Sequence, residues 1–366
     1  MNPNRSSERL IRAHLLNMKP YSYITPLEVM TEDAGIPIER LIKLDGNENP
    51  YGCSPRVKKA LSNYPYYHIY PDSEQRELRR ALAGYVGIPA DQIVVGSGSD
   101  EIIDFIMRLF IDPGNGVVNC VPTFGMYHFS TEAWAGKIVS IPRDKGFAID
   151  VRAVKKALNE GAKVTFVASP NNPSGNTTSR EDILELLGTG AIVVVDEAYY
   201  EFSGQTTVPL MADHDNLIVL RTFSKWAGIA GLRVGYGLFP ENIARHLMKI
   251  KPPYNVNVAA QIAAIESLKD LDHLQQTIKA IITERQRLFS KLAGFSRLKP
   301  YPSDANFVLC SAGSNQATRI YQELRRRGIL IRYFDTPLLK DYIRISVGKP
   351  EHTDAVVAAL NEILLK

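Results

Sequence analysis

Cysteine is scarce in this chain of 366 residues, and several features that are missing exclude whole classes of protein. The three cysteines, Cys53, Cys120 and Cys310, lie far apart and show neither the spacing of a metal site nor that of a disulfide framework. No apolar run approaches the ~18 residues of a transmembrane helix, and the polar N-terminus lacks the apolar segment of a secretory signal. We therefore expect a cytoplasmic protein without a metal, a disulfide or a membrane span.

A strong excess of charge is also missing. The net charge is +4, from 43 basic and 39 acidic side chains, which is too weak a bias to predict a nucleic-acid partner. The "RRR" run at residues 325–327 is expected to be a solvated helix face. Since 366 residues exceed the usual size of a single hydrophobic core, the length favours a large domain plus a smaller one.

Short apolar runs alternate with helical segments over much of the chain. "KVTFVAS", "AIVVVDEA" and "LIVLRT" have the pattern of strands that are covered on both faces. The alternation predicts a large α/β domain over residues 45–257, with a mostly parallel sheet of about seven strands between helices. The later pattern predicts a small α+β domain over residues 258–366. Residues 1–44 are expected to form an arm with a short amphipathic helix near residues 9–16 and to add to the small domain.

The segment "VVGSGSDEII" places a glycine-rich turn between a predicted strand and a predicted helix. Gly96 and Gly98 allow the backbone to approach a ligand closely, and Ser99 is predicted to cap the helix. The free N–H groups at such a helix start, those of Ser99 and Asp100, suit a phosphate. Because Glu101 stands where a dinucleotide-binding motif has its third glycine, that motif is not formed. On this segment alone, an ordinary strand–helix turn remains an alternative.

Two further strand ends carry polar side chains, and parallel strands present such ends at one edge of a sheet. Asn172 precedes a proline in "SPNNPSG", which favours a fixed turn. Asp196 ends the apolar run "AIVVV" and needs a cationic partner, because an unpaired buried carboxylate is costly. That partner is either a structural arginine or a ligand cation. Tyr199 offers a hydroxyl three residues later.

The stretch "LIVLRTFSKWAGIAGLR" brings hydroxyls, an amine and a guanidinium to the same edge. Thr222 and Ser224 supply hydroxyls, and Arg233 suits a phosphate. Lys225, desolvated beside cationic groups, is expected to have a lowered pKa and to react with an aldehyde. Trp226, which follows it, is expected to pack in the core.

Together these groups describe a single ligand. They match pyridoxal 5′-phosphate (PLP). This cofactor has a phosphate for the anion site, a ring cation for the carboxylate, a ring oxygen for the amide and the phenol, and an aldehyde for the amine. Phe124, in "PTFGMY", can supply an aromatic face for the ring of this cofactor.

At this point the chain resembles the fold-type I PLP-dependent aminotransferases over nearly its whole length. The motifs "LDGNENPYG", "SPNNPSG", "VVVDEAYYEF", "TFSKWAGIAGLRVGY" and "YIRISVG" occur in order, and "NENPYG", "GSDEII", "DEAYYEF" and "PPYNVN" are most similar to the branch that acts on histidinol phosphate. The resemblance implies that Lys225 binds the cofactor and moves the proton, and that Asp196 holds the pyridinium. Asn172 and Tyr199 would hold the ring oxygen. It assigns the cofactor phosphate to Thr222, Ser224, Arg233 and the amides of Ser99 and Asp100.

The resemblance also implies a substrate site and a partner. Arg344 and Arg332 would bind the anionic end of the substrate, and Tyr21 would close over its phosphate. Tyr70 would reach the cofactor phosphate of a neighbouring subunit, which implies a homodimer with shared sites. Phe124 stands where the family often has tyrosine, so the hydroxyl is lost while stacking is kept. Small-molecule substrates are expected: a phosphorylated amino alcohol, and glutamate with 2-oxoglutarate.

Other functions remain open at this stage. Transamination of aromatic amino acids and decarboxylation of threonine phosphate use the same motifs. From another class, a nucleotide-binding dehydrogenase would bind NAD(P) and give Lys225 no role. A DNA-binding regulator with a PLP fold would need a DNA-binding domain ahead of the enzyme-like part, and the 44-residue arm is too short for one.

Overall fold

The computed structural model describes residues 7–21 and 26–364. The strands are β1 Ile42–Leu44, β2 Ile93–Gly96, β3 Gly116–Val121, β4 Lys137–Pro142, β5 Ala162–Ala168, β6 Ile192–Asp196, β7 Leu217–Thr222, β8 Gly235–Leu238, β9 Lys299–Pro300, β10 Phe307–Ser311, β11 Ile329–Tyr333 and β12 Tyr342–Ser346. The helices are α1 Leu27–Ala34, α2 Pro55–Asn63, α3 Arg76–Val86, α4 Ser99–Phe110, α5 Gly125–Ala133, α6 Val151–Asn159, α7 Arg180–Leu187, α8 Tyr200–Ser203, α9 Glu241–Ile250, α10 Val258–Leu268, α11 Leu271–Ala293, α12 Gln316–Arg326 and α13 Pro350–Leu364.

The larger of two sheets has seven strands in the order β2-β8-β7-β6-β5-β3-β4. Only β8 runs antiparallel to its neighbours, β2 and β7, and the remaining pairs are parallel. The predicted mostly parallel sheet between helices is therefore confirmed. The carboxyl ends of β5, β6 and β7 meet at one edge, where the polar residues of the sequence motifs follow.

Helices cover both faces of the large sheet, which explains why its central strands are almost entirely apolar. On one face, α4 buries Ile102 and Ile106 in one apolar cluster. On the other face, Leu78 and Leu82 of α3 and Val154 of α6 belong to a second cluster. Full burial of each such side chain stabilises the fold by about 1.5–3 kcal/mol relative to leaving it exposed. The packed helices therefore hold the strand ends in fixed positions.

The smaller sheet has the order β1-β11-β12-β10-β9. Its first strand comes from the N-terminal part of the chain: β1 pairs in parallel with β11, with Ile42 opposite Ile329. Residues 42–44 thus join the sheet whose other strands lie after residue 298. The division of the chain at residues 44 and 257 stays a prediction.

The predicted helix near residues 9–16 is wrong. The chain there forms two short 3-10 turns, Ser7–Leu10 and Ala13–Leu15, separated by extended backbone at Arg12 (φ −57°, ψ 127°). Neither turn buries a residue, so the apolar side chains gain nothing from helical order, and isolated helices this short are marginal in water. In residues 7–21 and 26–364, no helix is both long and apolar enough to cross a bilayer.

Candidate active site

A cavity of ≈1030 Å³ opens at the carboxyl edge of the large sheet and is also lined by residues of β11 and β12. Thirteen of the fourteen residues singled out from the sequence line it: Tyr21, Ser99, Asp100, Phe124, Asn172, Asp196, Tyr199, Thr222, Ser224, Lys225, Arg233, Arg332 and Arg344. The sequence motifs therefore converge in space, although they span most of the chain.

One end of the cavity is suited to an anion. Gly98 turns the chain from β2 into α4 with φ 81°, a conformation that favours glycine, and it occupies the N-cap position. The prediction that Ser99 caps the helix is therefore wrong: Ser99 is the first helical residue and makes no side-chain cap. The start of α4 still offers free N–H groups. Thr222 and Ser224 add hydroxyls joined by a 3.0 Å hydrogen bond.

Arg233 adds a positive charge at this end. Its Nη2 donates to Asp100 Oδ2 over 3.0 Å, and both side chains are partly exposed (45% and 39%). The guanidinium lies so close to Gly98 that a side chain there would collide with it. Arg233 is thus held beside the start of α4, and the two features together favour a bound phosphate.

A buried carboxylate also lines the cavity. Asp196, the last residue of β6, is buried (4% exposed). Its Oδ2 accepts a 2.6 Å hydrogen bond from the hydroxyl of Tyr127, and its Oδ1 accepts one of 3.0 Å from the N–H of Ala198. Burial raises the pKa of Asp196 to about 6, although both hydrogen bonds lower it. A cation facing Asp196 would favour its charged form.

Sequence reasoning missed Tyr127. Its ring is fully buried and stacks on Phe166, with the ring centroids 4.7 Å apart. Tyr127 lies one helical turn after Phe124, whose ring it meets edge-on at 5.6 Å. The i, i+3 spacing in "PTFGMY" was the available signal, because residues with this spacing share a helix face.

Lys225 lines the same cavity. Its Nζ donates a 3.0 Å hydrogen bond to the carbonyl oxygen of Gly46. The pKa of Lys225 is lowered to about 8, chiefly by burial; the negative charge of Glu48 opposes this shift, and the positive charge of Arg344 contributes to it. An amine with this pKa is partly unprotonated near neutral pH and is therefore nucleophilic.

Trp226 fixes the turn that carries Lys225. Its side chain is 1% exposed, and its Nε1 donates to the carbonyl oxygen of Thr222 over 3.0 Å. The indole stacks on Tyr85 with centroids 5.7 Å apart. The expected packing of Trp226 is observed, and it holds the neighbouring amine in place.

Tyr199 and Asn172 lie at the side of the cavity. The buried Tyr199 hydroxyl accepts a 2.9 Å hydrogen bond from Asn47 Nδ2, and burial raises its pKa to about 12. Asn172 Oδ1 accepts a 2.5 Å hydrogen bond from Arg344 Nη1, so the Asn172 amide also orients a residue of the small sheet. Asn47, in "LDGNENPYG", was not singled out from the sequence.

Two arginines face each other across the small sheet. Arg332 on β11 and Arg344 on β12 are direct Cα partners in the antiparallel ladder. Arg344 is 4% exposed, and its Nη2 donates to the carbonyl oxygen of Asp45 over 2.6 Å. Its buried Nε has no hydrogen-bond partner within the described residues, and burial lowers its pKa to about 10. Like charges directly opposite each other destabilise a sheet, so this pair favours an anionic ligand.

Tyr21 covers the cavity from the N-terminal arm. Its ring packs edge-on against Phe129 of α5 at 6.0 Å, and a side chain on Gly125 would lie 3.1 Å from its Cε2 atom. The arm is also anchored where His14 Nε2 hydrogen-bonds to the carbonyl oxygen of Ala133 over 3.1 Å. Helix α5 therefore positions Tyr21.

Tyr70 does not line the cavity of its own chain. Its side chain is 79% exposed and stacks on Tyr254 with centroids 4.7 Å apart. Tyr66, Tyr67 and Ile69 beside it are also exposed. A group of exposed aromatic and aliphatic side chains is typical of a protein–protein interface.

Residues 39–360 match the family model described as aminotransferase class I and II. A histidinol-phosphate aminotransferase from Dehalococcoides mccartyi is 52% identical over 324 residues, which cover 88% of this chain and 90% of that relative. A chloroplastic histidinol-phosphate aminotransferase from Nicotiana tabacum is 44% identical over 97% of this chain and 87% of its own length. The solved structure of histidinol-phosphate aminotransferase from Sinorhizobium meliloti in complex with pyridoxal-5′-phosphate is similar with a TM-score of 0.89, at 28% identity over 97% of both chains.

Proposed function

Because this chain belongs to the class I and II aminotransferases, we propose that it transfers the amino group of L-histidinol phosphate to 2-oxoglutarate. The products are imidazole-acetol phosphate and L-glutamate, and the reaction belongs to histidine biosynthesis. Among the structural features, the opposed arginines Arg332 and Arg344 carry this proposal, because two guanidinium groups that line the cavity opposite each other favour an anionic substrate. The similar proteins named histidinol-phosphate aminotransferase favour this substrate.

The cofactor is PLP, and the donor set of the cavity fits it. The start of α4 with Thr222, Ser224 and Arg233 suits its phosphate, and the buried carboxylate of Asp196 suits its protonated ring nitrogen. When bound, PLP supplies an aldehyde that takes up the amino group and a ring that withdraws electrons from the neighbouring carbon. The residues proposed to hold it are Ser99, Asp100, Phe124, Asn172, Asp196, Tyr199, Thr222, Ser224 and Arg233.

Lys225 is the proposed catalytic residue. Its amine would hold the cofactor in the resting enzyme and, once displaced by the amine of the substrate, would take a proton from the amine-bearing carbon as a general base and give it back as a general acid. General acid–base work of this kind requires a pKa near the working pH, and burial places the pKa of Lys225 at about 8. The Gly46 carbonyl, 3.0 Å from Nζ, orients the amine.

Two chemically different substrates must share the anion site. Histidinol phosphate carries a phosphate and no carboxylate, whereas glutamate carries two carboxylates. Guanidinium groups bind both kinds of anion through paired hydrogen bonds, so Arg344 and Arg332 serve each substrate in turn. Tyr21, positioned by α5, closes over the bound anion.

The active enzyme is proposed to be a homodimer in the cytoplasm. Tyr70 would reach the cofactor phosphate of the neighbouring subunit, and its exposure on an aromatic surface supports this arrangement. The large domain, residues 45–257, would hold the cofactor. The small domain, residues 258–366 with part of the arm 1–44, would hold the substrate anion.

A half-reaction tests the proposal. The protein is purified with PLP, mixed with histidinol phosphate in the absence of 2-oxoglutarate, and followed by absorbance. We expect the yellow band to bleach as imidazole-acetol phosphate forms, and phenylalanine and threonine phosphate to act far more slowly. A yellow protein that histidinol phosphate leaves unchanged would refute the substrate assignment, while the cofactor assignment would stand.

A further inference from the structure

Within the described residues, three carboxylates line the cavity: those of Glu48, Asp100 and Asp196. Asp196 faces the ring end, and Asp100 is paired with Arg233 at the phosphate end. Glu48 has no such assignment. Its side chain is 41% exposed, so its charge is available to a molecule in the cavity.

Among the described residues, Glu48 is held in place by a contact to one of its oxygens. Its Oε1 accepts a 2.6 Å hydrogen bond from Lys43 Nζ, which also donates to Asp45 Oδ1 over 2.8 Å. Its Oε2 lies over Gly46, where any side chain would collide with it. Within the part of the chain that the structure describes, no hydrogen bond reaches Oε2. Lys43 thus fixes the carboxylate while the second oxygen stays free to accept.

The same turn brings Glu48 close to the reacting position. Lys225 Nζ hydrogen-bonds to the carbonyl oxygen of Gly46, the glycine that the Glu48 carboxylate covers. Of the charged groups around Lys225, Glu48 affects its pKa most strongly. The amine of a substrate must arrive at this position to displace Lys225, so the substituents of the neighbouring carbon lie within reach of Glu48.

The chemistry of the proposed substrate leaves one group without a partner. Its phosphate goes to Arg344 and Arg332, and its amine goes to the position of Lys225. The third group, the imidazole ring, carries N–H donors and is partly protonated near neutral pH. A buried donor requires an acceptor, and the other two carboxylates of the cavity already face the cofactor ends.

We propose that Glu48 accepts a hydrogen bond from the imidazole ring of histidinol phosphate and thereby selects this substrate. The inference rests on the proposed function. Glutamate has no ring N–H, and its second carboxylate would be repelled by Glu48. Glu48 therefore stabilises the bound substrate in one half-reaction and not in the other.

The test compares E48Q with the wild-type enzyme in both half-reactions. Glu185→Gln is the matched control, because Glu185 is also a lysine-paired carboxylate (3.0 Å to Lys155) but lies outside the cavity. For E48Q we expect kcat/KM with histidinol phosphate to fall roughly tenfold to a hundredfold, the loss typical of a hydrogen bond to a charged group. With glutamate, kcat/KM is expected to be unchanged or to rise.

A second readout separates this inference from the proposed function. The equilibrium affinity for L-histidinol, which has the ring and the amine but no phosphate, is measured by calorimetry. This affinity should fall in E48Q but not in Glu185→Gln. Equal losses of kcat/KM with histidinol phosphate and with glutamate would refute the ring contact and indicate that Glu48 acts on Lys225 instead. If the wild-type enzyme reacts with glutamate but not with histidinol phosphate, the proposed function is refuted. If, in addition, E48Q binds histidinol as tightly as the wild-type enzyme does, the ring contact is refuted as well.

Discussion

The proposed cofactor half and the proposed substrate half of this cavity are built in different ways. The cofactor half comes from consecutive strand ends of one sheet, with Asp196, Thr222 and Lys225 following β6 and β7. The substrate half combines the arm residue Tyr21, the turn after β1 and the arginines of the small sheet. Changes in the first half should therefore affect cofactor binding and chemistry, whereas changes in the second should affect substrate affinity.

The largest expected effect is that of Lys225→Ala in the cofactor half. In the proposed mechanism, loss of the amine removes both the bond to the cofactor and the proton transfer, so kcat should fall by about 10⁴-fold or more. Lys291→Ala, at an exposed end of α11, is the control and should retain full activity. If Lys225→Ala retains turnover within about tenfold of wild type, the proposed catalytic role of Lys225 is refuted.

The pH dependence of cofactor uptake tests the same amine. The pKa of Lys225 is lowered from 10.5 to about 8 by burial, which raises its unprotonated fraction at pH 7 roughly 300-fold. Because the unprotonated amine reacts, the uptake rate of PLP by the apoenzyme should rise with pH and level off above about pH 8. Stopped-flow absorbance measures this rate. A rate that keeps rising to about pH 10 would mean an ordinary lysine.

Arg344→Gln is expected to have the largest effect in the substrate half. It removes a buried charge that is proposed to contact the anion, so KM should rise about 30-fold or more for both histidinol phosphate and glutamate, with PLP affinity kept. The melting temperature without substrate is expected to change little, because the lost repulsion with Arg332 offsets the lost hydrogen bonds to Asp45 and Asn172. Arg297→Gln, at an exposed position, is the control. A rise for one substrate only would contradict a shared anion site.

This contrast also explains what the sequence can predict. Asp196 and Lys225 follow apolar runs, and parallel strands bring such ends together, so local patterns suffice to place them. Nothing local indicates that Arg332 opposes Arg344, because the register of β11 on β12 depends on a loop and on tertiary packing. The substrate-binding roles of Arg332 and Arg344 were inferred from the family resemblance alone. Tyr127 and Glu48 were missed because a tyrosine in an apolar helix and a glutamate in a polar turn look ordinary.

Tyr127→Phe should give a moderate effect that is confined to the cofactor half. The variant keeps the stack on Phe166 but loses the 2.6 Å hydrogen bond to Asp196, a bond worth about 1.5 kcal/mol. That hydrogen bond lowers the pKa of Asp196, so without it less of the carboxylate is ionised. PLP affinity should fall about tenfold, and more at pH 6 than at pH 8.

Titration of the apoenzyme with PLP, followed by fluorescence at both pH values, measures this loss. Tyr321→Phe is the control, since Tyr321 lies on α12 and does not line the cavity. If Tyr321→Phe lowers PLP affinity by a similar amount, or if the loss of affinity in Tyr127→Phe does not depend on pH, Tyr127 acts through packing.

The smallest expected effect is that of Gly125→Ala in the substrate half. The added methyl group would lie 3.1 Å from Tyr21 Cε2, so the ring must move by a few tenths of an ångström. KM for histidinol phosphate should rise about threefold, less than 1 kcal/mol, with kcat and PLP affinity unchanged. In Gly84→Ala, apart from its chain neighbours and the backbone of its own helix, no atom of the described residues lies within 4 Å of the new methyl group, so this control tests helix propensity alone. If the two variants have the same KM, the arm tolerates displacement, and the packing of Tyr21 on α5 does not contribute to substrate affinity.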